Sequence, residues 1–269
     1  MPDIYPHSGD AQMRMDNEST WAGARNATNA ETINTTAVKN NSAVKVAVNS
    51  SGNQYDCYRY FAAFDTSGIS VKPDSATIKL YGFTYTDSQI IVIKINAGAT
   101  GGASADFVAG DYSQTSSTAY SAEFTSTLST SGYNEITLND AALTDMASLS
   151  SFKIAIIDHD FDYSNQVPPN GTTRRSGWYF VNESDASLRP LVSYVEGTPT
   201  PSTPTFNQSG PSGLISDDFT INSFSQDNLS VQYDREGSSQ VPFILGGPGP
   251  LRIRGKIIAQ VIKKGDKKN

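Results

Sequence analysis

Ala43-Val44-Lys45-Val46-Ala47-Val48 is the stretch on which the fold turns. In an extended chain Val44, Val46 and Val48 fall on one side, the period-two signature of a β-strand with one solvated face. Working outward, further strands are expected at Tyr58 to Phe64, Ala76 to Phe83, Gln89 to Ile95, Tyr133 to Leu138, Phe152 to Ile157, Gly177 to Val181 and Leu191 to Val195. Each is rich in β-branched or aromatic residues and is bounded by Gly, Pro, Asn, Asp or Ser. Short strands at this spacing predict an all-β sandwich. The one helical pattern runs from Asn139 to Leu149, where Asn139 or Asp140 can cap the first turn and Leu143, Met146 and Leu149 recur along one face. Between Ala97 and Thr130 small residues dominate, with Phe107, Tyr112, Tyr120 and Phe124 as the large anchors, so long surface connections with one edge strand are expected there.

The 269 residues suit one sandwich-sized domain with a smaller appendage. At 37% hydrophobic and 17% charged residues, with 21 glycines, the composition excludes disorder throughout the chain. No apolar run approaches the roughly 18 residues that span a bilayer, and Met1-Pro2-Asp3-Ile4-Tyr5-Pro6 lacks the basic and apolar regions of a secretion signal. No membrane partner is expected. A single cysteine, Cys57, forbids an intramolecular disulfide and any cysteine-based zinc cluster, and reads as a small buried packing residue.

The alternating Pro, Ser and Thr of Gly197-Thr198-Pro199-Thr200-Pro201-Ser202-Thr203-Pro204 form a semi-stiff spacer. It divides a sandwich domain at 1–196 from a linker at 197–213 and a small β-rich segment at 214–269. Within that segment strands are expected at Asp218 to Ile221, Leu229 to Tyr233 and Val241 to Leu245, before a basic stretch. About 55 residues of short strands need a neighbour for burial, so the segment is expected to make contacts between copies of the chain or with a surface beneath. Residues 251–269 hold seven cations against Asp266, a net of +6, which leaves −13 on the remainder of a chain whose total is −7. Whole-body nucleic-acid binding is therefore not expected. The tail either docks on an acidic surface or nucleic acid, or is a solvated tail. Leu251 to Ile262 alternates, with Arg252 and Arg254 opposite Leu251 and Ile253. It reads as an anchoring strand that adds to a neighbour's sheet edge, with Arg252, Arg254, Lys256 and Ile257 as the assembly residues.

Catalytic machinery is hard to find: His7 and His159 are the only histidines, and neither a Gly-x-Ser-x-Gly elbow nor a phosphate-cradling loop before a helix is present. No catalytic residues and no cofactor are expected beyond calcium. The calcium candidate is Asp158-His159-Asp160-Phe161-Asp162-Tyr163-Ser164-Asn165, whose three alternate carboxylates followed by an amide supply hard oxygen ligands if the segment curls into a loop. It does not fit an EF-hand, with Tyr163 where the turn needs Gly and Pro169 where the bidentate Glu belongs. The candidate contact surface is aromatic. Tyr81, Phe83 and Tyr85 share the strand face opposite Ile78 and Leu80 and, with Trp178, could meet a protein subunit or, less favoured, a glycan.

Tyr58-Arg59-Tyr60-Phe61-Ala62-Ala63-Phe64-Asp65-Thr66-Ser67, Ala76-Thr77-Ile78-Lys79-Leu80-Tyr81 and the closing Arg189-Pro190-Leu191-Val192-Ser193-Tyr194 together resemble the DNRLRE-type β-sandwich domains, over about Ser8 to Glu196. That resemblance implies a jelly-roll-like antiparallel sandwich akin to carbohydrate-binding modules, without catalytic residues, of the kind attached to cell-wall enzymes, adhesins and phage structural proteins. Tyr133 to Asn139 and Phe152 to Asp158 also look like sandwich proteins of tailed bacteriophages. A sandwich made without an export signal is what a virion protein looks like, because particles assemble in the host cytoplasm and leave by lysis. The expected function is a non-catalytic virion structural subunit, as a capsid decoration, head fibre or tail-associated protein, with other virion proteins and its own copies as partners. The alternative is an extracellular carbohydrate-binding or adhesion module that meets host-surface glycan.

Overall fold

The computed structural model describes residues 1–7, 9–96, 98–101 and 105–199, together with the backbone of Asp218–Thr220 and Arg252–Arg254. The chain divides into two units, Met1–Thr198 and Pro199–Asn269. The first carries β1 (Asp3–Ile4), β2 (Ala11–Glu18), β3 (Thr32–Asn34), β4 (Lys39–Val48), β5 (Tyr55–Asp65), β6 (Ser75–Thr86), β7 (Ile90–Ile95), β8 (Thr115–Ala119), β9 (Tyr133–Thr137), β10 (Ser151–Asp158), β11 (Thr173–Tyr179) and β12 (Leu191–Val195). Two helices interrupt them, α1 (Trp21–Arg25) and α2 (Asp140–Ser148).

The strands form one open sheet in the order β1-β12-β6-β11-β4-β5-β10-β7-β8, with β2 beside β5, β3 beside β2 and β9 beside β6. The described strand pairs are antiparallel, and the class is all-β and sandwich-like. Strand β6 joins the layers: Ser75 to Tyr81 pairs with β12 and β9, and Gly82 to Thr86 pairs with β11. The change of partner falls at Gly82, where a Cβ would run into the Ser129 carbonyl, so only glycine lets the two backbones approach.

The sheet buries side chains on both faces of its centre. In β5, Tyr60, Ala62 and Phe64 enter a core shared with Ile78, Leu80, Phe152, Ile154, Trp178 and Phe180. Cys57, Phe61 and Ala63 point the other way, into a second core with Met13, Ile91, Ile93, Ile157, Phe107, Tyr112 and the α1 residue Trp21. Each large side chain so buried contributes about 1.5–3 kcal/mol. The single wet face expected of Ala43 to Val48 is corrected here: Val44 faces the first core, while Val46 and Val48 face the second. The Ala97 to Thr130 connection is also more than surface loop. Its Phe107 and Tyr112 roof the second core and Tyr120 enters the first.

Helix α2 forms where its pattern places it. Asn139 Oδ1 accepts from the Ala142 N–H at 3.1 Å, and Leu143 and Met146 are buried. Leu149 ends the helix and is exposed, so it does not extend the apolar face. In the second unit the backbone of β13 (Asp218–Thr220) pairs antiparallel with β14 (Arg252–Arg254), in the register Asp218 to Arg254 and Thr220 to Arg252. The described partner of this basic strand is thus its own chain. The strands expected at Leu229 to Tyr233 and Val241 to Leu245 lie outside the described residues, as do Lys256 and Ile257.

Candidate functional site

Strand β10 ends at Asp158 and the chain turns through one π-helical turn, His159–Tyr163, which sends the three alternate aspartates to three different places. Asp158 is fully buried and caps the turn, its Oδ1 accepting from the Phe161 N–H at 2.9 Å. Its Oδ2 finds no partner among the described residues, and burial pushes its carboxyl up to about 7. Asp160 receives Arg174 Nη1 at 2.6 Å. Asp162 lies below the sheet and accepts two hydrogen bonds from Arg59, at 2.7 Å from Nε and 2.7 Å from Nη2. The loop expected to curl Asp158, Asp160 and Asp162 around one calcium ion therefore does not bring them together, because two of them are committed to arginines and the third to a backbone N–H. The acidic and histidine donors that do converge are Glu123, His159 and Asp160, within 4.8 Å of one another. Gln89, with its amide nitrogen toward them, donates to Asp160 Oδ2 and Glu123 Oε1 at 2.8 Å each, so these oxygens already have partners. His159 Nδ1 lies 3.1 Å from an Asp160 oxygen, whereas His7 Nδ1 accepts from the Gly9 N–H at 3.3 Å.

Arg59 is the one buried cation among the described residues, and it organises the interior beneath it. Besides Asp162, its guanidinium donates to the Tyr112 carbonyl at 2.8 Å and the Arg25 carbonyl at 2.7 Å, and it lies 4.2 Å from the centre of the Tyr112 ring. Cys57 sits against the same carboxylate, Sγ to Asp162 Oδ2 at 3.6 Å, and burial raises its thiol far above the ordinary range. Outward from this pair opens a cavity of about 400 Å³ lined by Arg25, Asn26, Ser113, Thr115, Ser116 and Tyr163 among others. Arg25 and the cavity are invisible to strand periodicity. The readable signal was Arg59 itself, since an arginine inside Tyr58 to Phe64 has to bring a buried partner.

The aromatic surface exists, with a changed membership. Tyr81 and Phe83 lie half-buried on the outer face of β6, opposite Ile78 and Leu80. Trp178 does not join them: it is fully buried and packs edge-on to Tyr60 at 5.3 Å. The bulge opposite Gly177 and Trp178 lies in β6, where their partners are Thr84 and Gly82 and Phe83 is the extra residue; β11 itself alternates, with Ser176 and Trp178 buried and Tyr179 in the outward position. Tyr85 is also corrected, since it packs against the first core. The patch is completed by Tyr133 of β9 and by Lys39, whose ammonium lies 5.3 Å from the Phe83 ring and 5.6 Å from that of Tyr179. The rings meet at steep angles: Tyr81 and Tyr133 at 5.4 Å and 78°, Tyr81 and Tyr179 at 5.8 Å and 76°, Phe83 and Tyr179 at 5.6 Å and 57°. Tyr81 donates to the Ser131 carbonyl and Tyr133 to the Arg189 carbonyl, each at 2.9 Å, which holds both rings in place. Tyr133, Tyr179 and Lys39 were missed because cross-strand register, which the sequence does not state, brings them to Tyr81.

Comparison with protein-family models and with curated proteins finds no match to this chain. No helix among the described residues is long and apolar enough to cross a membrane.

Proposed function

We propose that this chain is a non-catalytic structural subunit of a tailed-bacteriophage virion that meets neighbouring subunits through the outer aromatic face of its sandwich. The observation that carries this reading is the ring geometry. A sugar ring stacks on an aromatic face, and a glycan platform needs such faces turned outward in a common plane. Here adjacent rings stand edge to face, each covering part of the next, and Lys39 lies over two of the faces. What such a surface offers outward is ring edges, phenols and an ammonium, a mixture suited to packing against a protein. The resemblance of β9 through β10 to tailed-phage sandwich proteins favours particle display, while that of Tyr58 to Tyr81 and Arg189 to Tyr194 to DNRLRE-type domains fits both readings. The second unit adds attachment through Arg252, Arg254, Lys256 and Ile257.

The test uses the full chain. Antibody against it should label purified particles, and Tyr81→Ser with Tyr179→Ser should abolish incorporation while the tryptophan fluorescence of the fold is kept. Absence from particles of every kind refutes the proposal. Polysaccharide binding by the isolated protein that the same double variant removes would favour the extracellular carbohydrate-binding or adhesion module instead.

A further inference from the structure

The cavity above the Arg59–Asp162 pair has more positive charge than its one buried carboxylate needs. Asp162 is fully engaged by Arg59 at 2.7 Å through both oxygens, whereas Arg25 approaches it only to 3.6 Å. Arg25 instead spends its Nε on the Asp162 backbone carbonyl at 2.6 Å and Nη1 on Asn26 Oδ1 at 2.8 Å. Those two bonds fix the plane of the guanidinium, and Nη2 has no partner among the described residues. Two arginines against one carboxylate leave the wall with a net charge of +1, partly shielded from water, where a charge-assisted hydrogen bond is strong. The remainder of the wall is hydroxyl-rich, from Ser113, Thr115, Ser116 and Ser117, with Tyr163 at one side. The volume of about 400 Å³ matches a small ligand and lies far below what a polymer would need.

We infer that this cavity binds a small oxyanion carried on a hydroxylated body, a sugar acid or hydroxy acid, whose carboxylate meets Arg25 and whose hydroxyls meet the serine and threonine wall. The carboxylate answers the unmatched charge and the hydroxyls answer a wall that offers both donors and acceptors. The site lies apart from the outer aromatic face and stands whether or not that face docks on a virion.

The experiment is titration calorimetry of the full chain with glucuronate, glucose and inorganic sulfate in parallel, on the native sequence and on Arg25→Gln and Ser117→Glu. Arg25→Gln removes the charge, and Ser117→Glu cancels it from an exposed position without touching Asp162. Glucuronate should bind at millimolar concentration or below, sulfate more weakly and glucose not measurably, and each variant should weaken glucuronate at least tenfold. Ser117→Glu carries the test should Arg25→Gln disturb the fold. Glucose binding equal to glucuronate, or full binding by Ser117→Glu, overturns the role of the charge. Sulfate binding as tightly as glucuronate overturns the hydroxylated ligand class, and no binding of glucuronate overturns the site.

Discussion

Asp10 gives the sandwich a dependence on pH that can be worked out from its surroundings. The residue is completely buried; its Oδ2 accepts from the Tyr60 hydroxyl at 2.7 Å and from the Val181 N–H at 3.1 Å, while Oδ1 has no partner among the described residues. Loss of hydration dominates these two hydrogen bonds and raises the carboxyl from 3.8 to about 7. At about 1.36 kcal/mol per pH unit, ionising it inside the fold costs on the order of 4 kcal/mol. The folded state holds this proton more tightly than the unfolded chain, so the stabilising contribution is complete below the unfolded value of 3.8 and is lost as pH rises to about 7. Asp10→Asn cannot titrate. Its amide nitrogen falls at the unpartnered Oδ1 position and costs about 1–3 kcal/mol, but equally at every pH. Asp158 and every other titrating group are common to both proteins, so they cancel in the difference between them. Urea unfolding at about pH 4.5 and about pH 8, followed by tryptophan fluorescence, measures that difference. The only tryptophans are Trp21 and Trp178, both buried in the first unit, and Trp178 packs on the Tyr60 ring that holds Asp10. Relative to the native protein, Asp10→Asn should gain roughly 3–4 kcal/mol in going from the lower pH to the higher. A difference that is the same at both pH values would show that Asp10 ionises freely and that the burial argument is wrong.

Asp162→Asn leaves the Arg59 charge buried without its counterion, and the same unfolding measurement should show a loss of about 3–5 kcal/mol. Combining it with Arg59→Met should recover much of that loss, and strictly additive losses would count against the pair. Cys57, fully buried beside Asp162 with its thiol raised, should react with a thiol reagent only as fast as the protein unfolds. Complete labelling of the native protein within seconds, unaffected by denaturant, is the contrary result.

How much of this was legible beforehand differs from element to element. Leu191 to Val195 is the strand its composition announces, and β5, β6, β7, β9 and β10 contain or closely match the expected runs, because β-branched and aromatic residues between turn formers describe a pleated, buried surface directly. The Asn139 cap was equally plain, since capping is a contact within three residues. Strand β2 was not: Ala11, Met13 and Met15 do alternate with Gln12, Arg14 and Asp16, but the stretch lacks β-branched and aromatic residues, and its place is decided by pairing with β5. The all-β class, the capped helix and the presence of an aromatic outer face on β6 are properties of local composition and period, which the chain carries wherever it folds. Which aromatics complete that face, why Trp178 and Tyr85 leave it, why Asp158, Asp160 and Asp162 part company, and how Arg25 comes to a cavity beside Arg59 are matters of register and long-range pairing. These depend on contacts between residues more than a hundred positions apart, such as Arg59 with Asp162, and on a bulge at Phe83 of β6, beyond which Tyr85 packs against the first core. Local preference cannot contain that information, because a side chain's face is set by the strand laid beside it, and that choice is made only when the two cores close.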